Sequence, residues 1–405
     1  MATTTPHPRL RRRVLVRASG GPRYAVALAV DALGTGLLRP FLLLYGVTVL
    51  RLSAPVTGAA MTAGIVAGLV CVPMVGRWLD RGARSTVVAA SMLVRVLGVA
   101  LLLAAPRGHV QLFAAAALFL GIGNQAWPAA HAALVATVAH GRDRDTALAG
   151  ARALRNGALG VGALLAALCL AGGTTALRAL AVATALAYLT AAALAWSVHV
   201  RARPAGPSRT EAPGVGPAPR MRALLAANVV YAFCLNVPEV ALPAVLVTQL
   251  HASPVWPAAV FVANTALVVT LQVPVTAFTA RFSRRSVLAL SGVVLTASYL
   301  CFLAATAWHH GWSVPAVAAV SVVCTLGEIV YAGSATALVA ALAPAHVLGR
   351  ALARFQLSTG FGLAVSPAAI TALAPHGPAA LWGGLAAATL VSAAAVAGTR
   401  SGAEA

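Results

Sequence analysis

Three carboxylic acids of the chain lie inside long apolar stretches, where ionisable side chains are rare. Asp31 lies in "YAVALAVDALGTGLLRPF", Glu239 in "NVPEVALP" and Glu328 in "CTLGEIVYAG". A carboxyl group in surroundings of low dielectric takes up a proton near neutral pH more readily than one in water. If it faces two compartments in turn, it can move protons between them. We therefore take these three acids as candidate proton-carrying groups.

Two arginines, Arg39 and Arg95, fall in apolar stretches of the same kind. Each can form a buried ion pair with one of the acids, which is the structural alternative to proton transfer. Because two cations cannot balance three acids, at least one acid remains available as a proton carrier. Asp31 and Glu328 are the preferred candidates. The excess of acids also predicts a ligand without strong negative charge.

Seven further polar or aromatic side chains within the apolar stretches can line a binding cavity for a small molecule. They are Asn124, Gln125 and Trp127 in the fourth stretch, Asn228, Tyr231 and Asn236 in the seventh, and Tyr331 in the tenth. Asn and Tyr can equally serve as hydrogen-bonding partners between helices. Both interpretations stay open for each of these residues.

The residue inventory argues against catalysis. All 29 basic residues are arginine, so the lysine of a phosphate-binding P-loop and of a Schiff base is missing. The five cysteines lie in apolar runs without metal-ligand spacing. We predict that the protein is not an enzyme and binds neither a cofactor nor a metal.

The composition is that of an integral membrane protein. Of the 405 residues, 60% are hydrophobic and 9% are charged, whereas soluble domains carry about 25% charged residues. The formal charge of +21 would suit nucleic acid. However, the arginines lie in short clusters between apolar runs, which is typical of membrane loops. We expect the lipid bilayer, and not nucleic acid, as the partner.

Twelve apolar runs are long enough to cross a bilayer, for which a helix needs about 20 residues. Only helices or closed barrels satisfy the backbone in lipid, and runs this continuous predict helices. The twelve predicted spans are 24–48, 56–75, 86–105, 110–131, 147–171, 176–197, 222–247, 256–278, 286–306, 313–341, 353–374 and 379–398.

The arginines predict the orientation of these spans. If the N-terminus is cytoplasmic, 24 of the 29 arginines, Arg155 among them, fall on the cytoplasmic side. Three fall outside, namely Arg51, Arg107 and Arg178. Such a bias follows the positive-inside rule. We therefore predict that the N- and C-termini are both cytoplasmic.

The spans divide into two halves of six, residues 1–200 and 221–405. Between them, 201–220 is rich in Pro, Gly and Arg and predicts a flexible cytoplasmic linker. A shift of about 200 residues places "LDRGARSTV" over "TARFSRRSV" at equivalent loops. Six spans return the chain to the same side, so the halves form a parallel repeat. Transporters with this architecture bind substrate at the midplane between the halves.

A short charged segment, "GRWLDRGARST", separates the second and third spans. Gly76 allows two helix ends to approach closely. Asp80 can cap a helix N-terminus or pair with a nearby arginine. Arg81 and Arg84 can act in the same way, or can serve only as signals of orientation.

This segment resembles the signature of the major facilitator superfamily. Gly76, Asp80, Arg81 and Arg84 match the signature. The later glycine is displaced, since Gly82 precedes Ala83, and Ser85 stands in place of a second basic residue. With the six-plus-six spans, the resemblance covers nearly the whole chain. It implies an all-α integral membrane protein with twelve transmembrane helices in two parallel six-helix pseudo-repeats.

The resemblance also implies a role for the charged segment as a conformational switch, with Arg350 and Arg354 at the start of span 11 as neighbours. The chain is similar to bacterial efflux-type members, in particular at "TLGE" in span 10. We therefore predict a monomeric transporter of the bacterial plasma membrane that exports small amphipathic molecules by proton-coupled alternating access. The alternatives are proton-coupled uptake of a small metabolite and a sensor of the same fold that does not transport.

Overall fold

The computed structural model describes residues 21–169, 172–198, 219–253, 255–307, 312–373 and 376–398. Throughout these ranges the regular secondary structure is helical, without any strand. This agrees with the apolar sequence, because a helix satisfies its backbone hydrogen bonds internally and needs no water. The N-terminal arginines up to residue 17 and most of the predicted linker, 201–218, lie outside the described residues.

Six helices make up the first half of the chain. They are α1 (Pro22–Thr48), α2 (Ala54–Asp80), α3 (Arg84–Ala104), α4 (Val110–Val138), α5 (Gly141–Cys169) and α6 (Gly173–Trp196). A short 3₁₀ turn, Arg39–Phe41, interrupts α1. It contains Pro40, which has no backbone N–H to continue the regular hydrogen bonding.

Six further helices make up the second half. They are α7 (Pro219–Cys234, continuing as Val237–Ala241, Leu242–Ala244 and Val245–Gln249), α8 (Val255–Thr279), α9 (Arg284–Ala307), α10 (Ser313–Leu342), α11 (Leu348–Leu373) and α12 (Ala379–Gly398). The interruption of α7 precedes Pro238, and the helix resumes with the wider π-type turn Val237–Ala241. Such turns shift the register of the side chains that follow. The side chain of Glu239, within this turn, lies outside the described part of the structure.

The twelve helices confirm the twelve predicted spans. The largest differences, of five to seven residues, are in the loop-facing turns that end at Asp80 and Val138 and that begin at Gly141 and Leu348. Among the described residues, nine helices are long and apolar enough to cross a membrane by length and composition alone. The remaining three helices do not meet this criterion. Of these, α5 and α11 begin with charged turns, and α7 is interrupted.

The described residues fall into two compact units. The first unit lies within Met1–Gly206 and Ala343–Gln356, and the second within Pro207–Leu342 and Leu357–Ala405. The first turns of α11 therefore belong to the first unit and the rest of this helix to the second. The division into 1–200, 201–220 and 221–405 stays a prediction.

The helices pair in the same order in each unit. In the first unit α1 packs against α5 and α6, α2 against α4, and α3 against α4 and α6. In the second unit α7 packs against α12, α8 against α10, and α9 against α10 and α12. Four of these five pairs therefore recur six helices further along, which is the pattern that an internal repeat produces.

Glycines bring α1 and α5 into backbone contact. A Cβ atom added at Gly36 would collide with the carbonyl oxygen of Leu159, and one added at Gly162 with that of Leu33. Helices approach this closely only where both lack side chains at the crossing. The contact places the residues near Asp31 on α1 opposite those near Arg155 on α5.

Candidate functional site

Asp31 of α1 and Arg95 of α3 form a buried ion pair. Both residues are 0% exposed. Arg95 donates from Nη2 to Oδ1 of Asp31 at 2.5 Å and from Nη1 to Oδ2 at 3.4 Å. Two parallel bonds between a guanidinium and a carboxylate fix the orientation of both groups. The structure thus brings these two predicted site residues together. Their contact is the buried ion pair that the sequence analysis gave as the alternative to proton transfer.

A second arginine, Arg155 of α5, also contacts Asp31. Its Nη1 lies 3.4 Å from Oδ2 of Asp31, and its side chain is 21% exposed. Arg155 is fourteen residues into a helix that begins at Gly141, or about 21 Å along its axis. Arg155 therefore lies well inside α5 and not in the loop before it, where the sequence analysis counted it. We refer to Asp31, Arg95 and Arg155 as the ion-pair cluster.

Hydroxyl groups and an aromatic ring complete the surroundings of Arg95. Its guanidinium carbon lies 4.4 Å from the ring centroid of Tyr188, which is a cation–π contact. The hydroxyl of Tyr188 donates to Thr35 Oγ1 at 3.2 Å. Thr35 in turn lies 3.5 Å from Nη1 of Arg95. These contacts hold Arg95 in one position between α1, α3 and α6.

Three stacked rings, Tyr24, Trp127 and His131, lie beside the ion-pair cluster, and we call them the aromatic cluster. The rings of Trp127 and His131 are nearly parallel, with centroids 4.9 Å apart. The hydroxyl of Tyr24 is 2.8 Å from Nδ1 of His131. Arg155 joins the two clusters, because its guanidinium carbon lies 4.2 Å from the ring centroid of Trp127.

Among the described residues, none of the other predicted residues of the first unit forms a hydrogen bond or an ion pair with this centre. Arg39 is exposed in the 3₁₀ turn of α1, and Asn124 is half-buried in α4. Gln125 accepts a hydrogen bond at 3.1 Å from Gln356, near the start of α11. The premise that Arg39 and Arg95 are the two buried cations is therefore wrong: Arg39 is exposed, and Arg155 takes its place.

In the second unit Glu328 of α10 is 6% exposed. Its Oε2 accepts a hydrogen bond from Nδ2 of Asn264 on α8 at 3.2 Å. The same amide nitrogen lies 3.0 Å from Oγ1 of Thr325, one turn before Glu328. Sequence reasoning missed Asn264. A polar residue within the apolar span 256–278 was the signal that could have found it.

A network of polar side chains links α7, α10 and α11 in this unit. Asn228 donates to the hydroxyls of Ser358 at 2.8 Å and Thr359 at 2.9 Å, and accepts from Tyr331 at 2.7 Å. The rings of Tyr231 and Tyr331 lie 5.4 Å apart. For Tyr231, this packing and a 3.4 Å bond to the carbonyl of Leu288 match the helix-contact interpretation.

Asn236 makes a second link between α7 and α11. Its Nδ2 lies 3.1 Å from the carbonyl of Leu363 and 2.5 Å from the hydroxyl of Ser366. These bonds cross to α11 where α7 is interrupted. They connect the interrupted part of α7 to α11 through a side chain and not through its own backbone groups.

Asp80, at the end of α2, caps the N-terminus of α11. Its Oδ1 accepts hydrogen bonds from the backbone N–H of Gly349 at 2.6 Å and of Arg350 at 3.3 Å. Its Oδ2 accepts a bond from Nε of Arg350 at 2.7 Å. A carboxylate at this position satisfies free backbone donors and interacts favourably with the helix dipole. Asp80 thus does both things that the sequence allowed, capping and pairing.

The other members of the charged segment have distinct positions. A Cβ atom at Gly76 would collide with Ala353 of α11. Arg84 is 3% exposed and donates to the carbonyl of Ala133 at 2.9 Å, so it is more than a signal of orientation. Arg81 is exposed. Gly82 has a φ of 89°, and this displaced glycine makes the turn that the segment needs.

Helices of membrane-spanning length, with ionisable side chains buried among them, are typical of a multi-pass membrane protein. A sequence model of the Major Facilitator Superfamily matches residues 24–237 and 224–403. Because the two matches together span nearly the whole sequence, the chain belongs to this superfamily. It is a membrane transporter, which implies small-molecule substrates. A comparison with curated protein sequences found no match.

Solved structures of transporters share this fold. The human organic anion transporter MFSD10 (TETRAN) is 15% identical, with a TM-score of 0.72 over 96% of this chain and 100% of that one. A bacterial homologue of the iron transporter ferroportin, in an outward-facing state, is 12% identical, with a TM-score of 0.74 over 93% and 98%. The same homologue with soaked iron gives 0.75 over 93% and 99%. At these identities the similarity is one of fold.

Proposed function

We propose that this transporter exports small amphipathic molecules from the bacterial cell in exchange for protons, by alternating access. The observation that supports proton coupling is the burial of a carboxyl side chain within a span of each unit. Asp31 is 0% exposed in the first unit and Glu328 is 6% exposed in the second. The proposed direction follows from the resemblance to bacterial efflux-type members.

The partners of the two acids suggest different roles for them. Asp31 balances the charge of Arg95, so its protonation would leave a buried guanidinium without a counter-charge. Glu328 accepts a hydrogen bond from an amide, that of Asn264. An amide can also accept a bond from a protonated carboxyl through its oxygen. We therefore assign the transported proton to Glu328 and a positioning role to Asp31.

The test is an accumulation assay in an efflux-deficient bacterium with a panel of fluorescent and antibiotic compounds. Wild type should lower the accumulation of at least one compound, and an uncoupler should abolish this effect. We expect Glu328→Gln to lose uncoupler-sensitive export, because the amide cannot release a proton. Asp143→Asn, which changes an exposed acid at the start of α5, is the matched control and should export like wild type.

Each outcome decides one part of the proposal. Export that persists with the uncoupler contradicts proton coupling. Accumulation that rises in the presence of the protein contradicts export and favours uptake. If Glu328→Gln retains full uncoupler-sensitive export while Asp31→Asn, expressed to the same level, loses it, the assignment of the proton to Glu328 is wrong.

A further inference from the structure

The ion-pair cluster carries more positive than negative charge. Asp31 faces both Arg95 and Arg155. The first unit has three other acids, Asp80, Asp143 and Asp145. Asp80 pairs with Arg350, Asp145 lies beside Arg144, and Asp143 is exposed. Since none of the three is in contact with Arg155, one guanidinium charge of the cluster exceeds what Asp31 can balance.

Arg155 is the arginine of the cluster that a ligand can reach. Arg95 is fully buried and makes two bonds to Asp31, one of them at 2.5 Å. Arg155 makes one longer contact with Asp31, at 3.4 Å, and its side chain is 21% exposed. Two arginines that share one carboxylate repel each other, and an anion beside the outer one relieves this repulsion.

An unused donor lies next to Arg155. The indole N–H of Trp127 is buried and has no hydrogen-bond acceptor among the described residues, and Trp127 is 5% exposed. A buried N–H without an acceptor is destabilising, because it has lost its hydrogen bond to water. The guanidinium of Arg155 lies over the ring of this same residue. A charged donor and a neutral one are therefore adjacent, which suits the oxygens of an anion.

We infer that Arg155 and Trp127 bind the anionic group of an amphipathic substrate, a carboxylate or a sulfonate. The inference rests on the proposed function, because it names the class of molecule exported. It replaces the prediction of a ligand without strong negative charge, which set two arginines against three acids in the chain, whereas in the cluster two arginines face the single acid Asp31.

The test is equilibrium binding to the purified full-length protein in lipid nanodiscs, without a proton gradient. The probes are three N-dansyl amino acids and their amides, because each pair differs in the anionic group alone. Wild type should bind at least one acid about tenfold more tightly than its amide, as expected for a hydrogen-bonded charge. Arg155→Gln should lower this ratio to below about twofold, mainly through weaker binding of the acid.

Two further variants keep the test decisive if Arg155→Gln folds poorly. Trp127→Phe keeps an aromatic ring but removes the N–H, and should weaken binding of the acid about fivefold and that of the amide by less, since a bond to a charged acceptor is the stronger one. Arg107→Gln removes an exposed charge in the loop after α3 and should keep the full ratio. The inference is overturned if no acid binds wild type more tightly than its amide, or if the ratio survives in both site variants.

Binding and export can fail separately. If the protein prefers acids in a way that depends on Arg155 but shows no uncoupler-sensitive export, the anion site is supported and the proposed function is refuted. Export of neutral compounds, with equal binding of acid and amide, would support the proposed function and refute the anion site.

Discussion

At the scale of single residues, the acid and the arginines of the ion-pair cluster contribute differently to the stability of the protein. Removing Asp31 leaves two buried guanidinium groups together, whereas removing Arg95 leaves Asp31 in contact with Arg155. An uncompensated buried charge is destabilising by about 3–5 kcal/mol. The consequences of losing either partner therefore differ, although the two residues are equally buried.

We predict that Asp31→Asn lowers the free energy of unfolding by about 3–5 kcal/mol and that Arg95→Met lowers it by less. The double variant should be more stable than Asp31→Asn alone, because it leaves one guanidinium instead of two. Thermal unfolding of the purified protein measures the order. Arg142→Met, an exposed arginine at the start of α5, is the control. Equal losses in the two single variants would contradict the shared role of Asp31.

The cap at Asp80 gives a second prediction at this scale. Asp80→Ala removes the acceptor of two backbone N–H groups and of Arg350, and should destabilise by about 1 kcal/mol. Arg350→Ala should be less severe, since the side chain of Arg350 is 49% exposed and such ion pairs contribute little. Transport and thermal stability should rank the two variants alike.

The control for this pair is Arg354→Ala, one turn further along α11, where the side chain is exposed. It should behave like wild type in both measurements. If Arg350→Ala is as damaging as Asp80→Ala, the ion pair and not the helix cap carries the stability of this contact.

At the scale of helices, the crossing of α1 and α5 depends on Gly36 and Gly162. We predict that Gly36→Ala and Gly162→Ala each lower the stability by about 1–3 kcal/mol, because the added methyl group forces the helices apart. The melting temperature measures the loss. Gly150→Ala is the matched control in α5, since a Cβ atom there would meet nothing within 4 Å.

The free energy of unfolding of Gly150→Ala should increase by up to about 1 kcal/mol, because alanine has a higher helix propensity than glycine. A loss in Gly150→Ala as large as in Gly36→Ala would show that any added side chain harms these helices, and that the close crossing is not the cause.

The helices themselves were predictable from the sequence, because length and apolar character decide which segments can span a bilayer. The partners of buried residues were not. Arg155 follows three other arginines in the segment 142–155, so the charge pattern assigns it to a loop. Its contact with Asp31 depends on α5 beginning at Gly141, six residues before the predicted span, and on the glycine crossing with α1.

Asn264 illustrates the same limit in the second unit. The sequence shows two amides, Asn264 and Gln272, in the apolar run 256–278, but not which helix each of them faces. The bond to Glu328 depends on the packing of α8 against α10. Periodicity along one helix does not determine the rotation of that helix about its axis, which the neighbouring helices set.

At the scale of the whole molecule, the repeated pairing of helices supports the duplication that short sequence matches indicate. The orientation in the membrane stays a prediction from the arginines. We predict that alkaline phosphatase fused after residue 108, in the loop between α3 and α4, is active, and that a fusion after residue 140 is inactive. The enzyme folds only outside the cytoplasm, where its disulfides form.

A fusion after residue 198 should also be inactive, because six spans return the chain to the cytoplasm. A fluorescent protein at the same points should give the opposite pattern and serves as the control for expression. If the phosphatase fused after residue 140 is active and the one fused after residue 108 is inactive, the orientation is the reverse of the predicted one.

The stacking of Arg155 and His131 on Trp127 has an optical consequence. Indole emission depends on the charges next to the ring, and Trp127 is one of seven tryptophans. A version of the protein that keeps this indole alone would report from the centre of the first unit. Its emission spectrum would follow the movement of the guanidinium through a transport cycle, without any attached dye.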